Sequence, residues 1–79
     1  MKETIQFDQQ LDCSGLSCPL PVLKTKKAVD AMNSGQVLKM TCTDSGSVKD
    51  MPSWSSRTGH HILHYDEEGD QYTWYIQVK

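Results

Sequence analysis

The chain has 79 residues and a formal net charge of −2, with 37% hydrophobic and 23% charged residues. A chain of this length has room for one small core, so we expect a single domain spanning residues 1–79. The composition excludes collagen-like and disordered classes, and no apolar run approaches the ~20 residues that cross a bilayer. The distribution of both charge signs along the chain argues against direct DNA binding.

Three cysteines are present, and an odd number argues against a framework of disulfides. The segment MKETIQFDQQ lacks the apolar core of a secretory signal. We therefore expect a cytoplasmic protein whose thiols stay reduced.

The first half of the chain predicts a strand, a helix and a second strand. Apolar residues alternate with polar ones near the start and predict a first strand between Thr4 and Asp12. Good helix formers from Pro19 to about Ser34, followed by Gly35, predict the first helix. The stretch QVLKMTCTD alternates again, which predicts a half-buried strand with Leu38, Met40 and Cys42 on one face.

The second half predicts a helix and two strands. Ser47 and Asp50 are spaced like a capping box that opens a helix closing at Gly59, and Pro52 predicts an irregular start to it. Its buried side would carry Val48, Met51 and Trp54. The stretches HHILHY and YTWYIQV predict two strands joined by residues 66–70, with Tyr72, Trp74, Ile76 and Val78 on one face.

The order β-α-β-α-β-β defines the expected fold class. Strands with one apolar and one largely polar face need cover on one side only. We therefore expect an α/β (α+β) two-layer sandwich, with a mixed four-stranded sheet and both helices on one face.

The tetrapeptide Cys18-Pro19-Leu20-Pro21 stands where the first helix begins. If Cys18 is the N-cap, both prolines occupy the first turn, whose N–H groups have no partner within the helix, so they hold it rigid without losing a hydrogen bond. The helix dipole would stabilise a thiolate by roughly 0.3–1 kcal/mol, which lowers the pKa of the cysteine by roughly 0.2–0.7 unit. The thiolate is the reactive form of cysteine.

The first helix also carries two distinct faces. At about 100° per residue, one broad arc suits the core and contains Val22, Thr25, Ala28, Val29 and Met32. A second stripe, contiguous with Cys18, contains Leu20, Lys24, Lys27 and Ala31; we call it the lysine stripe. It is interpreted either as a solvated helix face or as a surface where a partner docks, with Leu20, Lys24 and Lys27 making the contact.

The other cysteines and the histidines have competing interpretations. Cys42 alternates with apolar residues and is expected in the core. Cys13 is either a strand-end cysteine without chemistry or a second thiol that forms a disulfide with Cys18. A strand spreads His60, His61 and His64 over both faces and about 13 Å, too far apart to hold one ion. We expect no metal site and no cofactor.

The stretch LDCSGLSCPLPVLKTKKAV, followed by DSGSVKDMP and GHHIL, resembles the TusA (SirA-like) family of sulfur-carrier proteins. The signature of that family is Cys-Pro-x-Pro at the start of the first helix. The resemblance covers roughly Leu11 to the end of the chain and includes the Asp-x-Pro of the second helix. It implies a β-α-β-α-β-β sandwich and a cysteine, here Cys18, that carries sulfane sulfur as a persulfide.

The family resemblance also implies the partners. They are a donor sulfurtransferase of the cysteine desulfurase or rhodanese type and an acceptor such as a DsrE-like protein, in tRNA thiolation or in dissimilatory sulfur oxidation. The protein would be a monomer when free. Many relatives have a cysteine in the second helix near the position of Trp54 and Ser55, and this chain has none there. The alternative function is an RNA- or protein-binding regulatory module without covalent sulfur chemistry, which the absence of an aromatic-basic signature disfavours.

Overall fold

The computed structural model describes residues 6–17 and 20–79. These residues form four strands and two helices in the predicted order. The elements are β1 (Gln9–Cys13), α1 (Leu20–Asp30), β2 (Val37–Cys42), α2 (Ser47–Thr58), β3 (His61–Glu68) and β4 (Gln71–Gln77).

The four strands form one mixed sheet in the order β1-β2-β4-β3. β1 and β2 are parallel, with Leu11 opposite Met40, whereas β4 runs antiparallel to both β2 and β3. Helix α1 packs on β1 and β2, α2 packs on β3, and the two helices contact each other. The predicted α+β class with a mixed four-stranded sheet is confirmed.

The core lies between the helices and one face of the sheet. The strands contribute the alternate residues whose side chains point to the helices. These include Leu38, Met40 and Cys42, the residues predicted for the buried face of β2. The buried hydrophobic residues are Cys13, Val29, Leu38, Met40, Cys42, Met51, Trp54, Trp74, Ile76 and Val78. Cys42 is in the core as predicted, and its Sγ donates a hydrogen bond of 3.1 Å to Oγ of Ser47.

Strand β1 lies slightly later in the chain than the pattern predicts. It begins at Gln9 and ends at Cys13, whereas the prediction ended at Asp12. Thr4 and Ile5, part of that prediction, lie outside the described residues. The pairing with β2 sets these limits, because Gln9 to Cys13 stand opposite Leu38 to Cys42.

Helix α1 ends earlier than the prediction of about Ser34. Its last residue is Asp30, and the N–H groups of Ala31 and Met32 then donate to carbonyls only three residues back. The N–H of Asn33 donates to Oε1 of Gln36 instead of to the helix. Gly35 follows this tight turn and has φ +87°, which lets the chain reverse direction. The helix-forming residues before it gave no sign of the turn.

The predicted capping box of α2 is wrong. The N-cap is Gly46, with no side-chain cap, and Ser47 is a buried helical residue whose hydroxyl accepts from Cys42. This moves the buried face: Ser47, Met51 and Trp54 are buried, but Val48 is 39% exposed. The N–H groups of residues 47–49 donate to carbonyls three residues back, so α2 begins with a tight turn, and Pro52, which predicted an irregular start, lies farther along inside the continuous helix.

The hairpin connection is shorter than residues 66–70. β3 continues to Glu68 and β4 begins at Gln71, so Gly69 and Asp70 alone form the turn, with Gly69 at φ +60°. The register of β3 shifts between Ile62 and His64. This bulge leaves the intervening Leu63 47% exposed.

Candidate functional site

The cysteine and first proline of the Cys-Pro-x-Pro motif, Cys18 and Pro19, lie outside the described residues. The described residues on either side of them are close together, since the N–H of Leu20 donates to the carbonyl of Ser17 at 3.0 Å. Helix α1 begins at Leu20, two residues after Cys18 in the sequence. The prediction that Cys18 is the N-cap stays a prediction.

Hydrogen bonds fix the loop that leads from β1 to the motif. The N–H of Ser14 donates to the carboxylate of Asp12 at 2.9 Å, and hydrogen bonding to Ser14 lowers the pKa of that carboxyl group. Gly15, at φ +80°, donates its N–H to Oγ1 of Thr43 at 2.9 Å, which ties the loop to the end of β2. The N–H of Leu16 donates back to the carbonyl of Cys13 at 3.2 Å.

Pro21, the second proline of the motif, is buried in the first turn of α1. It needs no N–H partner there, as the sequence argument requires. Its carbonyl accepts a hydrogen bond of 2.7 Å from Oγ1 of the buried Thr25. The proline therefore packs the start of α1 against the core in addition to restricting its backbone.

The lysine stripe lies at the surface. Leu20 is 44% exposed, and Lys24, Lys27 and Ala31 are exposed as well. The sequence analysis missed Leu23, which is 54% exposed and adds a second apolar side chain to this side of α1.

The charges of the stripe have no counter-ions among the described residues. Lys26 pairs with Asp30 at 3.0 Å, one turn along the same helix. Lys24 and Lys27 form no ion pair with any residue in the ranges 6–17 and 20–79. The positive charge on this surface is therefore available to a partner.

A shallow groove separates α1 from β1. Its part nearest the lysines has a volume of about 230 Å³ and is lined by Leu11, Lys24, Lys27 and Ala28. The adjoining part, about 260 Å³, is lined by α1 residues such as Ala31 and Met32 and by residues of β1. The sequence analysis placed the lysines but missed the groove, because only the fold brings Leu11 beside them.

Cys13, the predicted second thiol, is fully buried at the end of β1. It stands opposite Cys42 in the β1–β2 register. Burial is the largest effect that raises the pKa of its thiol, followed by the charge of Cys42, while Lys24 acts in the opposite direction. A buried thiol with a raised pKa is a poor nucleophile, and a role for Cys13 in transfer stays a prediction.

The three histidines are separated by their packing. The ring of His60 stacks on Trp54 at 5.3 Å, and its Nδ1 accepts from the N–H of Lys79 at 3.0 Å. His64 packs against Tyr75 at 5.9 Å, and His61 is exposed. Among residues 6–17 and 20–79 no three histidine, cysteine or acidic side chains are grouped to hold a metal ion. No helix in these ranges has the length and apolarity to span a membrane.

The fold is that of a solved SirA-like protein from Desulfitobacterium hafniense. The two structures superpose with a TM-score of 0.76 over 89% of this chain and 96% of the other, at 21% sequence identity. At that identity the likeness concerns the fold.

The sequence defines the family. The model of a family described as Sulfurtransferase TusA matches residues 9–78. The chain is 49% identical over 71 residues to the sulfur carrier protein TusA of Allochromatium vinosum, covering 90% of this chain and 93% of that one. It is 43% identical over 73 residues to the putative sulfur carrier protein YrkI of Bacillus subtilis, covering 92% and 97%. The chain belongs to the TusA family.

Proposed function

We propose that this protein is a sulfur carrier that holds sulfane sulfur as a persulfide on Cys18 and passes it between proteins in a sulfur relay. The observation that carries the proposal is the Cys-Pro-x-Pro motif, which falls within a match to the TusA family over residues 9–78. The name sulfur carrier protein, borne by relatives up to 49% identical, supports the same function.

The proposed reaction is a pair of thiol exchanges. The Cys18 thiolate attacks the terminal sulfur of a donor persulfide, the S–S bond of the donor breaks, and the donor cysteine leaves as a thiolate. In the second exchange an acceptor thiolate attacks the terminal sulfur carried by Cys18. The S–S bond to Cys18 breaks, and Cys18 is released as a thiolate. Each step forms one S–S bond and breaks one, so the relay needs no external oxidant or reductant.

The start of α1 supports a reactive thiol at this place in the chain. The helix begins at Leu20, and Pro21 is buried in its first turn. The dipole of a helix N-terminus stabilises an anion nearby. Cys13 and Cys42 are both fully buried, so a protein partner has no direct access to either sulfur.

The proposed partners are those that the family resemblance implies. They are a donor sulfurtransferase of the cysteine desulfurase or rhodanese type and an acceptor of the DsrE-like type, serving tRNA thiolation or dissimilatory sulfur oxidation. The exposed lysine stripe supports a docking role for Leu20, Lys24 and Lys27. A single domain that is a monomer when free and works in the cytoplasm is part of the same proposal.

Mass spectrometry after incubation with a persulfide donor tests the proposal. We expect one added sulfur atom, about 32 Da, on Cys18, and no addition to the Cys18→Ser variant. Cys42→Ala is the matched control, because it removes a buried thiol and keeps the motif. Sulfur mapped to Cys13 or Cys42 would contradict the assignment, and no sulfur on any cysteine would favour the alternative of an RNA- or protein-binding module.

The contribution of the prolines is tested separately. The double variant Pro19→Ala with Pro21→Ala should keep the fold but loosen the first turn of α1, raising the pKa of Cys18 by a few tenths of a unit at most. The pH dependence of alkylation by iodoacetamide measures that pKa. If neither this pKa nor the rate of sulfur transfer changes, the rigid-turn explanation of the motif is wrong.

A further inference from the structure

One edge of the sheet is open. β1 pairs with β2 on one side, and as the first strand in the order β1-β2-β4-β3 it has no neighbour on the other among the described residues. An edge strand presents backbone N–H and C=O groups that can pair with another chain. The sequence of β1, QQLDC, contains neither proline nor lysine, and its five residues pair with β2 without a register shift. Of the features that protect edges, β1 therefore lacks proline, lysine and a bulge, and its one charged residue, Asp12, alternates to the face of the sheet opposite Leu11.

The groove beside this edge offers apolar contact. Leu11 projects from β1 on the side of the helices, and Ala28 and Met32 face it from α1. All three are only partly buried and pack against the core from its margin. A further strand laid along β1 would place every second side chain on this same side of the sheet.

The groove also carries unbalanced positive charge. Lys24 and Lys27 line it together with Leu11 and Ala28, and neither lysine pairs with an acidic side chain in the described part of the chain. Charge complementarity therefore favours an occupant with carboxylates on the side that faces α1.

We propose that the β1 edge binds an extended acidic segment of the sulfur-relay partner, which adds to the sheet as a fifth strand. One apolar side chain of this segment covers Leu11 and Ala28, and acidic side chains two residues to either side reach Lys24 and Lys27. β1 leads directly into the loop of residues 14–17 that precedes Cys18. The inference rests on the proposed function for the identity of the partner, but the strand addition itself is independent of sulfur chemistry.

A synthetic peptide provides the direct test. The peptide acetyl-TETVTET-amide has valine flanked by two glutamates on one face of a strand and threonine on the other. We expect it to shift the amide NMR signals of β1 and of α1 around Lys24 to Ala28, and to leave those of β3 unchanged. The matched control acetyl-TKTVTKT-amide should bind at least about tenfold more weakly.

Two further variants separate strand addition from simple charge attraction. Methylating the backbone nitrogens of alternate residues removes the hydrogen-bond donors on one edge of the peptide. Of the two complementary methylated peptides, we expect one to lose binding and the other to keep it. In the protein, Lys24→Glu with Lys27→Glu should weaken binding about tenfold, whereas Lys49→Glu, an exposed lysine on α2, should not.

The result distinguishes this inference from the proposed function. Persulfide loading of Cys18 is measured on the same preparation by mass. If Cys18 is loaded with sulfur but the peptide shifts no signal of β1, the docking inference is overturned and the carrier function stands. If the peptide binds at β1 but Cys18 is not loaded, the carrier function is contradicted and the docking inference stands. Equal binding of both methylated peptides, or shifts at β3 in place of β1, also overturns the inference.

Discussion

Helices α1 and α2 lie on the same face of the sheet but differ in how far their large apolar side chains are buried. Helix α2 buries Met51 and Trp54 almost completely, and Trp54 stacks on the ring of His60. Helix α1 leaves Leu20 and Leu23 44% and 54% exposed. Because apolar side chains gain stability only when they leave water, the exposed leucines of α1 add less to the stability of the fold than Met51 and Trp54 of α2, and their exposure supports the proposed docking role of α1.

The two edges of the sheet also differ, in how well each is protected from pairing with another chain. At the β3 edge, the bulge at Leu63 and the acidic residues Asp66 to Glu68 discourage pairing with another chain. At the β1 edge, five residues pair regularly with β2 and lie beside a groove with two lysines. The protected edge lies beside α2 and the open edge lies beside α1, so the open edge is on the same side as the exposed leucines of α1, as the proposed docking of a partner requires.

The largest expected difference between the two helices concerns stability. Met51→Ala removes a fully buried side chain from α2 and should lower the free energy of unfolding by about 2–5 kcal/mol. Leu23→Ala, on the exposed side of α1, should change it by less than about 0.5 kcal/mol. Urea unfolding followed by tryptophan fluorescence measures both. Similar losses in the two variants would show that α1 and α2 do not differ in how much their apolar residues stabilise the fold.

The end of α2 should show the next largest effect. Gly59 has φ +85°, and its N–H donates to the carbonyl of Ser55. A side chain is strained in this left-handed conformation, so Gly59→Ala should cost about 1–2 kcal/mol, and an added Cβ would also stand 3.0 Å from Cδ of Lys79. Gly59→Asn is the matched control and should be less destabilised, since asparagine tolerates this conformation. Equal unfolding midpoints for wild type and Gly59→Ala would contradict the prediction.

A smaller effect should depend on pH. Burial raises the pKa of the Cys13 thiol, whereas in the unfolded chain a cysteine ionises near its ordinary pKa of about 8.5. Above that pH the folded state binds more protons than the unfolded state, so the free energy of unfolding falls as pH rises. We expect urea unfolding to show that the free energy of unfolding decreases between pH 7 and 9.5. The decrease should be smaller in the Cys13→Ala variant.

The comparison for Cys13 is made in a Cys18→Ser background, which removes the titration of the motif thiol from both samples. Val29→Ala, which removes core volume without removing a thiol, serves as a second control. Identical slopes against pH with and without Cys13 would show that its ionisation does not contribute to stability.

The smallest expected effect belongs to the surface of α1. Lys26 and Asp30 form an ion pair four residues apart, with side chains 62% and 60% exposed. Solvent and salt screen such a pair, so Lys26→Ala should lower the free energy of unfolding by at most about 0.5 kcal/mol. Thermal unfolding at low and high salt measures it, and a larger loss that persists at high salt would show that Lys26 has a packing role.

The periodic parts of the sequence predicted the fold well. Alternation identified β2 and β4 with their buried faces, because a strand half covered by helices separates apolar from polar residues at every step. The order of elements then led to the sandwich. The exposure of Lys24 and Lys27 also followed from the helical period.

The errors have local physical causes. Ser47 and Asp50 have the spacing of a capping box, but Ser47 lies in the core, where its hydroxyl accepts a hydrogen bond from Cys42 at the end of β2, five residues earlier in the chain. Ala31 and Met32 are good helix formers, yet α1 ends before them, at a turn in which the side chain of Gln36 accepts from the N–H of Asn33. The groove at Leu11 depends on which strand lies at the edge, and no local pattern encodes strand order.

The order β1-β2-β4-β3 also has a consequence for how the sheet assembles. Only β3 and β4 are joined by a short turn, at Gly69 and Asp70, whereas β2 must find β4, and β1 must find β2, across long stretches of chain. Closing long loops slows folding, so we expect the hairpin to nucleate the sheet and β1 to join last. Native-state hydrogen exchange should then find the amides of Gln9 to Cys13 opening more readily than those of β4. The strand beside the motif would then be the part of the sheet that opens most readily by local unfolding.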